Sequence, residues 1–212
     1  MGRVYSRMER WSDGVVHLLG IGAALVAVTV LLKRVVSARD ALAIFAAAVY
    51  GGGLLAMIGF SAAYNLTRRP RRKAVIQRFD HAAIFLMIAG SYTPFALISL
   101  GGATGGGLLA AVWLIALAGI GIKLWWPRRL ERGSVALYLG LGWLGLPAAF
   151  AMAAVVPVST LVLIGLGGVL YSAGVGFHVW HRMPHHNTVW HVFVLAGAGC
   201  HYVAVTQAIG VA

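Results

Sequence analysis

The sequence predicts an all-α membrane protein of seven transmembrane helices, with the N-terminus in the cytoplasm and the C-terminus outside. Three observations carry this. Of the 212 residues, 60% are hydrophobic and only 10% are charged, against about 25% charged in an average soluble domain. Seven apolar stretches come close to the roughly 20 residues that cross a bilayer. The basic residues gather in alternate gaps between those stretches, as the positive-inside rule requires. A mean hydropathy of +0.86 agrees, and 28 glycines suit close helix packing in lipid.

The spans fall at 14–32, 41–66, 80–100, 106–126, 135–155, 159–180 and 189–209. The first comes after a basic N-terminus but is too long for a signal-peptide core and lacks a small-residue cleavage pattern, so it is a retained helix. A short cytoplasmic segment, 1–13, precedes it, and 1–212 forms a single integral membrane domain. Arg68, Arg69, Pro70, Arg71, Arg72 and Lys73 are expected as the loop between spans two and three. Pro127 comes after span four, Pro157 separates spans five and six, and Pro184 precedes span seven, near a helix start. No internal repeat is visible. The single cysteine, Cys200, excludes an intrachain disulfide and a cysteine-rich zinc site.

Charge fixes the expected orientation. Arg3, Arg7, Arg10, the run from Arg68 to Lys73, Arg78, Lys123, Arg128, Arg129, Arg132 and Arg182 all fall on the side of the N-terminus. Only Lys33, Arg34 and Arg39 fall on the other. An even number of spans would break this segregation. The net charge of +12 therefore belongs to topology and to contact with anionic lipid headgroups. Nucleic acid is not an expected partner, because no basic element with interleaved aromatics exists. The expected location is a prokaryotic cytoplasmic membrane. Oligomeric state is not legible.

Polar residues mark one membrane level. Glu9, Asp13 and His17 recur every four residues on one face of span one. Ser61 and Asn65 share a face at the end of span two, Asp80 opens span three, and Asn187 and His191 share a face at the start of span seven. An antiparallel bundle lets these four helices bring them together. An ionisable group inside a membrane helix points to function by default; the bland alternative is that helix ends are polar and meet water. His201 lies ten residues beyond His191, about 15 Å deeper, where a hydrogen bond within the bundle is the expected role. His178, His181, His185 and His186 form a second, looser group able in principle to bind zinc.

These residues carry a resemblance. Asp13 to His17, Ser61-Ala62-Ala63-Tyr64-Asn65, Phe79-Asp80-His81-Ala82-Ala83-Ile84, Gly90-Ser91-Tyr92-Thr93-Pro94, Gly121-Ile122-Lys123, Leu137 to Trp143, Gly168-Val169-Leu170-Tyr171, and Pro184 through His191 to His201 occur in this order along nearly the whole chain. Together they resemble the hemolysin III branch of the membrane family that includes the adiponectin and progestin receptors. The resemblance implies seven helices with the N-terminus inside. It also implies a zinc ion held by a helix-two Ser-x-x-x-His motif and a helix-seven His-x-x-x-His motif, with a helix-three Asp beside it. Those positions are here Asn65, Asn187, His191 and Asp80. Two expected histidines are asparagines, and an amide oxygen is a poorer zinc ligand than imidazole. His17, Asp13 and His186 are candidate substitute ligands or supporting groups.

Function stays open between classes. The resemblance implies a zinc-dependent lipid amide hydrolase acting on lipids such as ceramide, in which the metal activates water and polarises the carbonyl. Asp80 would be the base and Ser61 a donor to the carbonyl oxygen. The weakened ligand set favours instead a non-catalytic role in membrane-lipid homeostasis or lipid sensing, with the polar cluster holding a headgroup, proton or weakly bound cation. A proton relay through Asp13, His17, Asp80 and His201, or pore formation, is a further alternative. Retinal-type photochemistry is excluded because the last span has no lysine.

Overall fold

The computed structural model describes residues 5–127, 129 and 133–210. Three of the basic residues that set the expected orientation, Arg3, Arg128 and Arg132, lie outside them. The helices are α1 (Arg7–Ala38), α2 (Ala41–Leu66), α3 (Pro70–Pro94) running on as a π-helical turn (Phe95–Leu100), α4 (Gly102–Trp125), α5 (Ser134–Trp143), α6 (Ala149–Ala153), α7 (Val158–Val179) and α8 (His186–Ile209). A 3₁₀ turn, Leu146–Ala148, links α5 to α6, and the two helices make one broken span. Among the described residues, seven helical units are thus long and apolar enough to cross a membrane.

Helix starts explain where the expected boundaries move. Ser6 and Glu9 form a reciprocal capping box, so α1 begins at Arg7 rather than at the edge of the apolar stretch. Asp40 caps α2 by accepting from the amides of Leu42 and Ala43. The run from Arg68 to Lys73 is not wholly a loop. Pro70 takes the first helical position, where its missing N–H costs nothing, so Arg71, Arg72 and Lys73 belong to α3. Asp80 therefore lies well inside α3 instead of opening it.

On α1 the buried residues are Glu9, Asp13, His17, Gly20, Ala24, Val28, Leu31 and Val35. Their spacing of three and four draws one stripe toward the bundle. Trp11, Leu18, Leu19 and Val26 face outward, as a lipid-facing helix surface does. The most buried span is α3 with its π-helical turn; α2 packs most extensively on α3, while α7 pairs with α8. Small residues set these approaches. A Cβ on Gly53 would stand 3.2 Å from the Leu86 carbonyl oxygen, and one on Gly90 would stand 3.2 Å from that of Val49. At the other crossing a Cβ on Gly197 would stand 3.2 Å from the Gly167 carbonyl oxygen. Backbones this close gain dispersion contacts without help from water, which is how helices associate in lipid.

Lys123, counted among the charges on the side of the N-terminus, sits in the last turn of α4, 1% exposed, and donates a hydrogen bond to Ser134. The break in the fifth span is also held by a side chain. Tyr92 OH donates toward the Leu141 and Gly142 carbonyls and accepts from the Gly145 amide at 2.8 Å. It supplies partners for backbone groups that the broken helix frees, as burial in protein or lipid demands.

Candidate functional site

The site is built at the end of the bundle where the N-terminal part of α1, the C-terminal end of α2 and the first turns of α8 meet. Asp13 and His17 come from the buried stripe of α1, Ser61 and Asn65 from the last turns of α2, and Asn187 and His191 from α8. In each pair the four-residue spacing puts both side chains on one face.

One carboxylate organises them. Asp13 Oδ1 lies 2.7 Å from His191 Nδ1, and Asp13 Oδ2 accepts from Asn187 Nδ2 at 3.1 Å. The backbone oxygen of Asp13 is 2.8 Å from His17 Nδ1. Ser61 Oγ lies between the two imidazoles, 3.3 Å from His17 Nε2 and 3.4 Å from His191 Nε2. The rings meet edge to face with centroids 4.2 Å apart. Asn65 donates to the Ser61 carbonyl at 2.9 Å and accepts from Asn187 Nδ2 at 3.1 Å. Asp13, His17 and His191 are all buried, and they form a group of ligand atoms lying within 4.8 Å of one another that could hold a metal ion. It is the one such group among the described residues.

The remaining candidates fall around this cluster. Asp80 does not join it, but lines the same cavity and lies within electrostatic reach of His191. His186 is buried and turned away, with Nε2 3.2 Å from Tyr5 OH and its ring against His181. His201 lies deeper, where Nε2–H donates to the Ile164 carbonyl at 3.3 Å and the ring meets Tyr171 edge-on. The looser histidine group is spread among different partners. His178 lies against the Trp190 ring and His185 Nδ1 is 2.9 Å from Ser12 Oγ.

A second layer of contacts surrounds the site, and in it Ser12 and Thr188 are residues the sequence does not single out. Glu9 accepts from the backbone amide of His185 at 3.1 Å, and Ser12 Oγ also lies 3.0 Å from Thr188 Oγ1. These contacts tie the start of α8 to α1. His185 takes a left-handed conformation, φ 57°, which is strained for a residue with a Cβ. The Glu9–Asp13–His17 spacing is the available sequence signal, since it continues the site face outward by one turn.

The cluster opens on a cavity of about 660 Å³. Its polar end holds His17, Ser61, Asp80 and His191; its walls include Met57, Ile58, Met87, Phe95, Met152 and Leu161; and it reaches as deep as His201. This volume falls in the range of ligand pockets, roughly 300–1,000 Å³.

Fold and site together define an integral membrane protein of seven spans, with a buried carboxylate–histidine group opening on an internal cavity. The chain belongs to the haemolysin-III related family, whose model matches residues 5–202. It is 32% identical to Hemolysin-3 of Bacillus cereus over 93% of this chain and 90% of that one. It is 31% identical to the Hemolysin-3 homolog of Bacillus subtilis (strain 168), with 95% of each covered. It is 25% identical to the human Monocyte to macrophage differentiation factor over 74% of this chain and 67% of that protein.

Proposed function

We propose that this protein binds a membrane lipid, its polar head at the Asp13–His17–Ser61–His191 cluster and its hydrocarbon in the cavity, and acts in membrane-lipid homeostasis or sensing. The observation that carries this is the continuity of the cavity. It joins the polar cluster to apolar walls and runs on to His201, about 15 Å farther along α8 than His191. That is about half of a bilayer's roughly 30 Å hydrocarbon thickness, the depth of one leaflet. A water-soluble ligand would leave those walls unmatched.

The proposed setting is a bacterial cytoplasmic membrane with the N-terminus inside. Arg68, Arg69, Arg71 and Arg72 then lie at the inner surface, where each basic residue near anionic headgroups contributes about 1 kcal/mol of attraction. A cation held at the cluster, zinc being the ion that the imidazoles suit, would supply Lewis acidity at the lipid's polar group.

Lipid content tests this reading. Protein purified in mild detergent should carry a defined lipid by native mass spectrometry. Gly165→Trp should lose it, because Gly165 lines the cavity and a Cβ there meets nothing within 4 Å. Equal lipid content in both proteins would overturn the assignment of the cavity.

A second reading is metal-dependent hydrolysis of a lipid amide. Asp80 favours it: an acid on the cavity wall, near His191, is where a base for such a reaction belongs. Release of fatty acid from lipid amides by the zinc-loaded protein, lost in Asp80→Asn, would establish it. No release would leave lipid binding as the function.

A further inference from the structure

The resemblance places zinc ligands at Asn65, Asn187 and His191, and the amides present do not fit that role. An asparagine ligates through oxygen. Asn65 Oδ1 already accepts from Asn187 Nδ2, and Asn187 turns its amide nitrogen toward both Asn65 and Asp13. An amide N–H is a donor and gives no lone pair to a cation. The two residues pair with each other, and Asn187 steadies Asp13.

We infer that the metal site of this chain is displaced onto α1: His17 and His191 ligate through Nε2, and Asp13 is the carboxylate that orients the His191 ring. The tautomers carry this. The Asp13 backbone carbonyl can only accept, so His17 Nδ1, 2.8 Å away, holds the ring proton. His191 Nδ1, 2.7 Å from the Asp13 carboxylate, holds its proton for the same reason. In its neutral form each ring then keeps its lone pair on Nε2. Both Nε2 atoms face Ser61 Oγ, at 3.3 and 3.4 Å. One hydroxyl has one proton, so it satisfies only one of them. Two buried lone pairs converging on a single donor are mismatched as a hydrogen-bond network and matched as a cation site. An outer carboxylate donating order to a ligating imidazole is the arrangement metal-binding histidines commonly have.

Imidazole donors select a borderline transition cation such as zinc over calcium or magnesium. Ser61 and the cavity supply the remaining coordination positions. This inference concerns the same place as the lipid reading but does not depend on it, since the test counts metal and its ligands rather than lipid.

The test strips purified protein with a chelator, reloads it with zinc and measures bound metal. Wild type should retain one zinc, and its X-ray absorption spectrum should show two imidazoles. His17→Ala should lose the metal. Asp13→Asn should weaken it about 10–100-fold, and Asn65→Ala should keep it. Adding Asn65→His and Asn187→His to His17→Ala should restore binding with three imidazoles. Absence of zinc from the wild type, a spectrum with fewer than two imidazoles, or full retention by folded His17→Ala would each overturn the displaced site.

Discussion

Asp13 and His191, 178 positions apart in the chain, meet at 2.7 Å and lock the first helix to the last. Both are buried, and a hydrogen bond to a charged group in such a place contributes about 1.5–3 kcal/mol. Asp13→Ala should therefore lower the stability of the detergent-solubilised protein by about 2–3 kcal/mol. Denaturant unfolding followed by circular dichroism measures this. An unchanged midpoint would mean that the bond is not formed in the folded protein.

The α2–α3 crossing should tolerate no bulk. A Cβ at Gly53 would already press on the backbone of Leu86 and Met87 at 3.2 Å. Gly53→Leu should cost about 1–3 kcal/mol or more through overpacking. Gly52→Leu is the control, because a Cβ there meets nothing within 4 Å. Melting curves of the two variants should separate clearly.

The buried bond between Lys123 and Ser134 joins α4 to the start of α5. Ser134→Ala should cost about 1–3 kcal/mol by removing an acceptor from a buried amine. Ser134→Thr, which keeps the hydroxyl, should recover most of it. Thermal stability in detergent decides between them.

Orientation gives a prediction of another kind. With the N-terminus in the cytoplasm, as the distribution of basic residues proposes, alkaline phosphatase fused after Ile209 should be active and a fusion in the 67–69 connection inactive. The reverse pattern would place the basic segments outside and remove anionic-lipid contact from the proposed function.

Much of the site's membership was legible, but not its bonding. The four-residue spacings at Asp13 and His17, Ser61 and Asn65, and Asn187 and His191 put each pair on one face. Polar residues at span ends drew attention to the right helices. The partnership of residues is a different matter: whether Asn187 ligates a cation or holds Asp13 depends on which way its amide turns. That is fixed by neighbours from α1 and α2. The burial of Lys123 is a related case. Charge counting says which side of the membrane a lysine near a span end favours, but not whether a hydroxyl eleven positions on holds it buried.

The sequence by itself determined the number of spans and the helical class. Lipid leaves the backbone no other partner than its own helix, so apolar stretches of sufficient length can form little else. It also determined which face of each helix carries polar groups, because helical period is a local property. Only the tertiary structure decided that Asp13 reaches across to His191, that Ser61 stands between two imidazoles, and that Asp80 lines the cavity without joining the cluster. Those relations come from the packing of glycine-lined crossings and from helix starts that carry α1 and α3 beyond their apolar stretches. Contacts between residues far apart in the chain are set by how helices seat on one another, and no local pattern encodes that.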